Sequence, residues 1–344
     1  MLPLRALGQT GMRVSVVSLG GVGIGGKLPS DFYGGVTDDV AVATVHRAVA
    51  RGINFIDTSP LYAESERRIG IALEALPASM RDGLLIGSKV GDECPPFSDN
   101  GGHSAFSYDG VMCSVAHSLQ QLRVVDRLDT VLCHDPTMSE LEEFLTPETG
   151  GMAALQSLQK QGVVGHIGIG CVEHEQQRRA MVHPACEVVL AVNDYNLVRR
   201  YATTEVFPHT SENGVGVLNA GIFYMGLLAD SRSGWKGGFL STLEQPRLVE
   251  LVRDMDRWCL ERDSSTTLRA VALSFGLKHE CVASSPIGMK SPEEVDQVCD
   301  AVLAAETSFD ATFWDDFAEA FDGRVRALEK EDHWYYDKET SEVV

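Results

Sequence analysis

Four ionisable side chains follow apolar runs in this chain of 344 residues: Asp57 and Tyr62 in FIDTSPLY, Lys89 in LLIGSKVG and His134 in DTVLCHDP. A lone charge after such a run is costly to bury, so Asp57 and Lys89 are expected to pair. The set suits one chemistry. A tyrosine with its ordinary pKa of about 10 is a poor proton carrier at neutral pH. An ammonium beside it favours the phenolate and lowers that value. Asp57 would hold Lys89 charged and aimed, and His134 would bind the reacting oxygen or relay a proton. Together they would transfer a proton on an alcohol or a carbonyl. Each has a plainer role alone. Asp57 can cap the turn at DTSP, Tyr62 can pack half-buried, Lys89 can end its strand in solvent, and His134 can be a satisfied strand-end histidine. Their coincidence at successive strand ends favours a site.

Such a site needs elements that bring the four together. Apolar runs read as strands over 14–20, 54–59, 84–90, 128–135, 166–170, 188–194, 215–220 and 282–288. Most are continuous rather than alternating, as in parallel sheets buried on both faces. Between them, DDVAVATVHRAVARG (38–52) sets Val40, Val42, Val45, Ala48 and Val49 on one helical face, and ESERRIGIALEAL, SYDGVMCSVAHSLQQL, GGMAALQSLQKQG and STTLRAVALSFGLKH behave similarly. In SPEEVDQVCDAVLA, Ser291 can cap a helix and Pro292 suits its first turn. The alternation predicts an α/β fold, one (β/α)8 TIM barrel, whose catalytic groups sit at the C-terminal strand ends. The chain reads as a single domain over 1–344, with a barrel core over about 4–305 and a helical C-terminal cap over about 306–344. A long insertion over roughly 229–264, containing SRSGWKGG, follows the seventh strand, and the tail carries Trp334, Tyr335 and Tyr336.

Composition narrows the class. With 44% hydrophobic and 23% charged residues the chain is ordinary globular material. Its net charge of −20 repels nucleic acid and anionic membranes. The eight cysteines, Cys94, Cys113, Cys133, Cys171, Cys186, Cys259, Cys281 and Cys299, form no CxxC, and no HExxH occurs. Reduced thiols packed as small hydrophobes, and no metal, are expected. The start, MLPLRALGQTG, lacks an apolar signal core, and a cytoplasmic protein is expected.

One motif points elsewhere. In GGVGIGG (20–26), Gly21-x-Gly23-x-x-Gly26 spells the dinucleotide fingerprint of a Rossmann fold. That motif must open a helix that receives the pyrophosphate. The next residues, KLPSDFYGGVTDD, contain Pro29 and have no helical period. The plainer reading is a flexible glycine loop after the first strand.

These stretches resemble the aldo-keto reductase superfamily over roughly residues 4–305. LGQTGMRVSVVSLG is similar to its opening hairpin and first strand, and GINFIDTSPLYAESERRIGIAL to its second-strand signature. GSKVG and LQQLRVVDRLDTVLCHDP resemble its lysine and histidine motifs. GVVGHIGIG, GVGVLNAGIFYMGLL and SSPIGMKSPEEVDQV match the later barrel. The resemblance implies a nicotinamide dinucleotide bound in a barrel without a Rossmann fold. Tyr62 would be the general acid/base, Lys89 its electrostatic partner, Asp57 the partner of Lys89, and His134 the residue that orients substrate. Gly21, Val22 and Gly23 would line the pocket near the nicotinamide, with Asp57 and Gly170. Ile287, Gly288, Met289, Lys290, Glu294 and Gln297 would lie along the adenosine end.

The departures carry information. Many NADP-dependent members hold the 2′-phosphate with an arginine where this chain has Glu294, which favours NAD, although the nearby Lys290 can bind phosphate. Gly170 and Cys171 stand where a Ser-Asn pair often holds the carboxamide, and Ala220 and Gly221 where a tyrosine often stacks. Asn193, Asp194 or Asn219 would then hold the nicotinamide. The chain looks most like the L-galactose, L-fucose and D-threo-aldose dehydrogenases, which implies oxidation of an aldose at C1 to a lactone. The alternatives are an NADPH-dependent aldehyde or ketone reductase and a cofactor-carrying regulatory subunit, the role of some relatives such as potassium-channel β subunits. A small sugar or carbonyl substrate is expected, with the chain a monomer or homodimer. Substrate would be read by loops, including 96–106, the insertion and the tail.

Overall fold

The computed structural model describes residues 1–26, 35–91, 104–229 and 246–331, with the short segments 336–337 and 342–343. Cys94, Trp334, Tyr335 and most of the substrate-loop expectation at 96–106 lie outside these residues. The chain opens with an antiparallel hairpin, β1 (Leu4–Ala6) and β2 (Arg13–Ser15). Eight parallel strands then close on themselves: β3 (Val17–Gly20), β4 (Phe55–Asp57), β5 (Leu85–Val90), β6 (Leu128–His134), β7 (Val164–Cys171), β8 (Val188–Val192), β9 (Gly216–Ala220) and β10 (Val282–Gly288), which pairs back onto β3. This is a (β/α)8 TIM barrel.

The helices in chain order are α1 (Val22–Gly25), α2 (Asp38–Ala50), α3 (Ser65–Ala75), α4 (Ala78–Arg81), α5 (Tyr108–Leu122), α6 (Met138–Phe144), α7 (Gly151–Lys160), α8 (His174–Met181), α9 (Ala202–Glu205), α10 (Phe207–Asn213), α11 (Pro246–Arg262), α12 (Leu268–Gly276), α13 (Pro292–Ser308) and α14 (Ala311–Glu331). Their starts are chemically marked. Thr37, Ser107, Thr137, Thr267 and Ser291 each accept an N–H of the first turn, which satisfies a donor the helix cannot.

The barrel has a floor. Leu7 and Val14, from the hairpin, pack with Phe55, Leu132, Val188, Leu190, Leu218 and Ala283 inside it. The hairpin is tied to the N-terminal strand ends, where Arg5 Nη1 donates to the carbonyls of Leu277 and Val282 at 2.7 and 2.8 Å. With that end plugged, chemistry is left to the opposite end.

Several details differ from the sequence reading. The run 14–20 is two elements, because Val14 belongs to the hairpin strand and Val17 to the barrel. GGVGIGG is not a featureless loop: residues 22–25 make one helical turn. On α2 the buried stripe is Ala41, Thr44, Val45 and Ala48, and Val40 is 37% exposed. The 41-44-45-48 spacing fits the helical period, whereas the valines alone define a rotated face. The insertion placed at 229–264 contains the 17-residue helix α11. It packs with α14 through Leu251, Met255 and Cys259 against Phe313, Phe317 and Phe321. Tyr336 lies in a two-residue strand, β11 (Tyr336–Asp337), paired with β12 (Glu342–Val343).

The crossing of α3 and α5 depends on a missing side chain. A Cβ on Gly70 would sit 2.2 Å from the Gln121 carbonyl oxygen and 3.1 Å from Leu122 Cα. Gly70→Ala improves helix propensity by about 1 kcal/mol but forces the helices apart, at about 1–3 kcal/mol or more. A lower melting temperature is expected; an equal or higher one would show that this contact does not set the helix spacing.

Candidate active site

The site begins with the period of two along each strand. Phe55 and Asp57 on β4 share the inner face, and Gly87 on β5 lies against the Phe55 ring, so Lys89 two residues on faces inward too. Leu132 and His134 share the inner face of β6. Asp57, Lys89 and His134 therefore emerge together at the C-terminal end of the barrel. Tyr62 joins them through a tight turn. Its N–H donates to the Ser59 carbonyl at 3.0 Å, its own carbonyl receives the Ser65 N–H at 3.0 Å, and Glu64 N–H donates to the Gly25 carbonyl at 3.1 Å.

The four side chains make one cluster. Lys89 Nζ donates to Asp57 Oδ2 at 2.7 Å and to the Thr58 carbonyl at 2.9 Å. It lies 4.7 Å from the centre of the Tyr62 ring. The Tyr62 and His134 rings meet edge to face, 5.7 Å apart. Lys89 is 1% exposed and Asp57 4%, so the expected pairing of two buried charges is what the structure contains. Ser59 Oγ, also buried, lies 3.4 Å from His134 Nδ1 and accepts the Leu61 N–H at 3.1 Å. With one acceptor lone pair engaged there, the hydroxyl can give its hydrogen to Nδ1. That arrangement favours the tautomer that carries its hydrogen on Nε2.

One electrostatic expectation is corrected. Burial pushes the Tyr62 phenol above the usual tyrosine value, against the opposing pull of Lys89, while Asp57 and Asp135 push the same way as burial. The ammonium lowers the phenol relative to a site without it, but desolvation is the larger effect. On Lys89, burial acts to lower the pKa, and Asp57 with Tyr62 outweighs it, so the ammonium is held charged.

The remaining residues singled out from the sequence fall in distinct places. Gly21 N–H donates to the Asp57 carbonyl at 2.7 Å. A Cβ on Gly23 would lie 2.7 Å from Met289 N, so the glycine run lets α1, which begins at Val22, lie flat on the exit of β10. Gly170 pairs with His134 across the β6–β7 ladder. Asn193, at the end of β8, is buried and left-handed (φ 58°), with Gly221 close against it and its N–H on the Ala220 carbonyl at 2.8 Å. Its Oδ1 is buried without a hydrogen-bond partner. A buried acceptor of that kind calls for a donor, and the amide of a nicotinamide carboxamide is one. Asn219 uses its Nδ2 to donate to the carbonyls of Tyr195 and Gly276 at 3.0 and 2.9 Å, tying β9 to α12, while its Oδ1, like that of Asn193, is buried without a hydrogen-bond partner. Asp194 lies in a buried network with His174 and Arg199.

At the far end, Ile287 and Met289 are buried and Gly288 is exposed. The N-terminus of α13 offers N–H groups suited to phosphate. There Glu294 Oε2 accepts the Lys290 N–H at 2.9 Å, which puts a carboxylate at the start of the helix. Gln297 Oε1 accepts from Arg269 Nη1 at 2.5 Å. Orphaned acceptor, helix N-terminus and acid/base cluster fit a nicotinamide dinucleotide.

Sequence reasoning passed over several residues that build the site. Ser59 lies two positions after Asp57 and Asp135 directly after His134, so adjacency alone could have raised both. Arg68 had no local signal. Its guanidinium donates to the carbonyls of Ile24 and Val36 at 2.7 and 2.9 Å and to Asp38 at 2.9 Å, tying α3, which follows the Tyr62 turn, to α1 and the start of α2.

Comparison with known proteins shows the family. Residues 17–320 match the profile of the Aldo/keto reductase family. A D-threo-aldose 1-dehydrogenase of Pseudomonas sp is 29% identical over 338 residues, covering 92% of this chain and 96% of that protein. An L-galactose dehydrogenase of Arabidopsis thaliana is 30% identical over 312 residues, covering 89% of this chain and 90% of that protein. An aldo-keto reductase from Bacillus halodurans, solved in its holo form, superposes with a TM-score of 0.73 at 23% identity, covering 93% of this chain and 96% of that one. The profile match runs through every barrel strand from β3 to β10, and the chain accordingly belongs to the aldo/keto reductase family of oxidoreductases.

Proposed function

We propose that this enzyme oxidises the C1 hydroxyl of an aldose in its ring form, of the L-galactose, L-fucose or D-arabinose kind, to the lactone with NAD. The observation that carries the reading is Lys89 Nζ, 2.7 Å from Asp57 Oδ2 and over the Tyr62 ring. The similarity to two aldose-type dehydrogenases supports the substrate class. A bound nicotinamide would supply the acceptor for the C1 hydrogen and its electron pair. His134 Nε2 donates to the reacting oxygen and orients it. Tyr62, as phenolate, accepts the hydroxyl proton as the C1–O bond gains its second bond, and later returns it to water. Lys89 stabilises that phenolate, and Asp57 keeps the ammonium in place. Most of the rate then comes from positioning and fixed charge. Asn193 Oδ1 would accept from the carboxamide. Glu294 would repel a 2′-phosphate and accept a hydrogen bond from a ribose hydroxyl. NADPH-dependent reduction of an aldehyde or ketone would use the same four residues in reverse, and Lys290 and Arg269 beside α13 favour that second reading.

Initial rates of nicotinamide reduction with L-galactose, L-fucose and D-arabinose, each with NAD and NADP, test the proposal. Turnover with NAD above NADP is expected, and Glu294→Arg should narrow that ratio by about tenfold, the scale of reversing one charge near a surface phosphate. No reduction with any aldose, alongside rapid NADPH consumption by a simple aldehyde, would establish the reductase instead.

The raised phenol sets the pH dependence. Oxidation needs Tyr62 deprotonated, so kcat/KM should climb with pH into the alkaline range and fall as the phenol protonates. Lys89→Met removes the charge that lowers the phenol and should move this limb upward by about 1–3 pH units. An unmoved limb would separate Lys89 from the proton transfer.

A further inference from the structure

Immediately after His134 stands Asp135, whose carboxylate belongs to the mouth of the same site. Its backbone is left-handed (φ 38°) and fixed by its N–H, which donates to the Gly170 carbonyl at 2.9 Å. Glycine, asparagine and aspartate all tolerate that conformation, so the turn itself does not require a charge. Asp135 Oδ2 lies 3.6 Å from His134 Nε2, and the Asp135 side chain is 47% exposed where that of His134 is 7%. The other ring nitrogen, Nδ1, faces buried Ser59. Nε2, the nitrogen that holds the reacting oxygen, is thus the one flanked by the carboxylate.

We propose that Asp135 recognises the hydroxyl next to the carbon being oxidised, accepting a hydrogen bond from the C2 hydroxyl while His134 and Tyr62 hold the C1 oxygen. This rests on the aldose reading of the site. Gauche oxygens on adjacent ring carbons lie closer together than this carboxylate lies from Nε2, so the two protein atoms are spaced to reach one oxygen each. An ionised carboxylate only accepts hydrogen bonds, so it rewards a hydroxyl at that position. A plain aldehyde or ketone has no donor there and leaves the carboxylate without that hydrogen bond. Asp135 is in this sense a specificity residue that separates a sugar from a simple carbonyl.

The test compares the fastest of L-galactose, L-fucose and D-arabinose with its 2-deoxy counterpart, both with NAD. Removing the electron-withdrawing C2 oxygen makes hydride loss intrinsically easier, so a preference for the parent sugar reports recognition. Wild type should favour the parent by about 10- to 100-fold in kcat/KM. Asp135→Asn and Asp135→Gly both suit the left-handed backbone. Each should narrow that preference, Gly further than Asn, with NAD affinity by fluorescence titration unchanged. If wild type oxidises both sugars equally well, the aldose reading stands and the role of Asp135 falls. If the variants slow both sugars in proportion, Asp135 only shapes the turn and the proposal is overturned. If wild type oxidises neither sugar but reduces aldehydes, the aldose reading fails and the proposal with it.

Discussion

The structure turns on one buried ion pair. Lys89 and Asp57 are almost wholly removed from water and meet at 2.7 Å, inside a barrel end built from apolar strands. Neither charge is tolerable there without the other, and breaking such a pair costs about 3–5 kcal/mol. The pair is therefore a constraint on the fold as well as a tool of the site. Strands β4 and β5 must hold their register, and the turn after Asp57 must present the Thr58 carbonyl to the same ammonium. Once that is satisfied, Tyr62 has a cation beneath its ring and His134 is in edge contact with it.

The surrounding parts serve the same constraint from different directions. The hairpin packs Leu7 and Val14 into one end of the barrel, and the Asp57–Lys89–Tyr62–His134 cluster lies at the other. The glycine run after β3 packs its one-turn helix on the Asp57 turn and the exit of β10, which joins the Asp57–Lys89–Tyr62–His134 cluster to the strand leading into α13. Arg68, on the helix after that turn, donates to the carbonyls of Ile24 and Val36 and so ties α3 to the end of α1 and the residues before α2. On the far side, α14 reaches the loop after β8: Glu329 accepts the Arg200 N–H at 2.7 Å, and its carbonyl accepts the Tyr201 hydroxyl. That loop follows Asn193, whose amide oxygen is one of the buried acceptors without a protein partner.

What could be read from the sequence was whatever has a linear signal. Continuous apolar runs marked buried parallel strands, and the charges that end them marked Asp57, Lys89 and His134. Tyr62 was legible because its turn is short. The Rossmann fingerprint was correctly set aside, since the strands close into a barrel and its glycines serve close backbone packing. Other features depend on three-dimensional facts with no linear trace. The direction of the Tyr62 shift depends on how much water the fold removes, which the neighbouring charges alone do not state. Asn219 reads as a cofactor ligand in the sequence, and only the fold shows that its Nδ2 also bridges the carbonyls of Tyr195 and Gly276. Ser59 and Asp135 were in plain view, but their importance comes from which nitrogen of His134 each one faces.

The central claim is that Tyr62 moves the proton and the rest of the cluster prepares it to do so. Tyr62→Phe keeps the ring, its packing on His134 and its place over Lys89, and removes the hydroxyl alone. The direct measurement is its turnover beside its affinity for the nicotinamide cofactor, read by fluorescence titration. The account predicts turnover lost by about 100-fold or more, with cofactor affinity near that of wild type. Turnover retained in Tyr62→Phe with cofactor bound normally would contradict it, and would move the proton to another group.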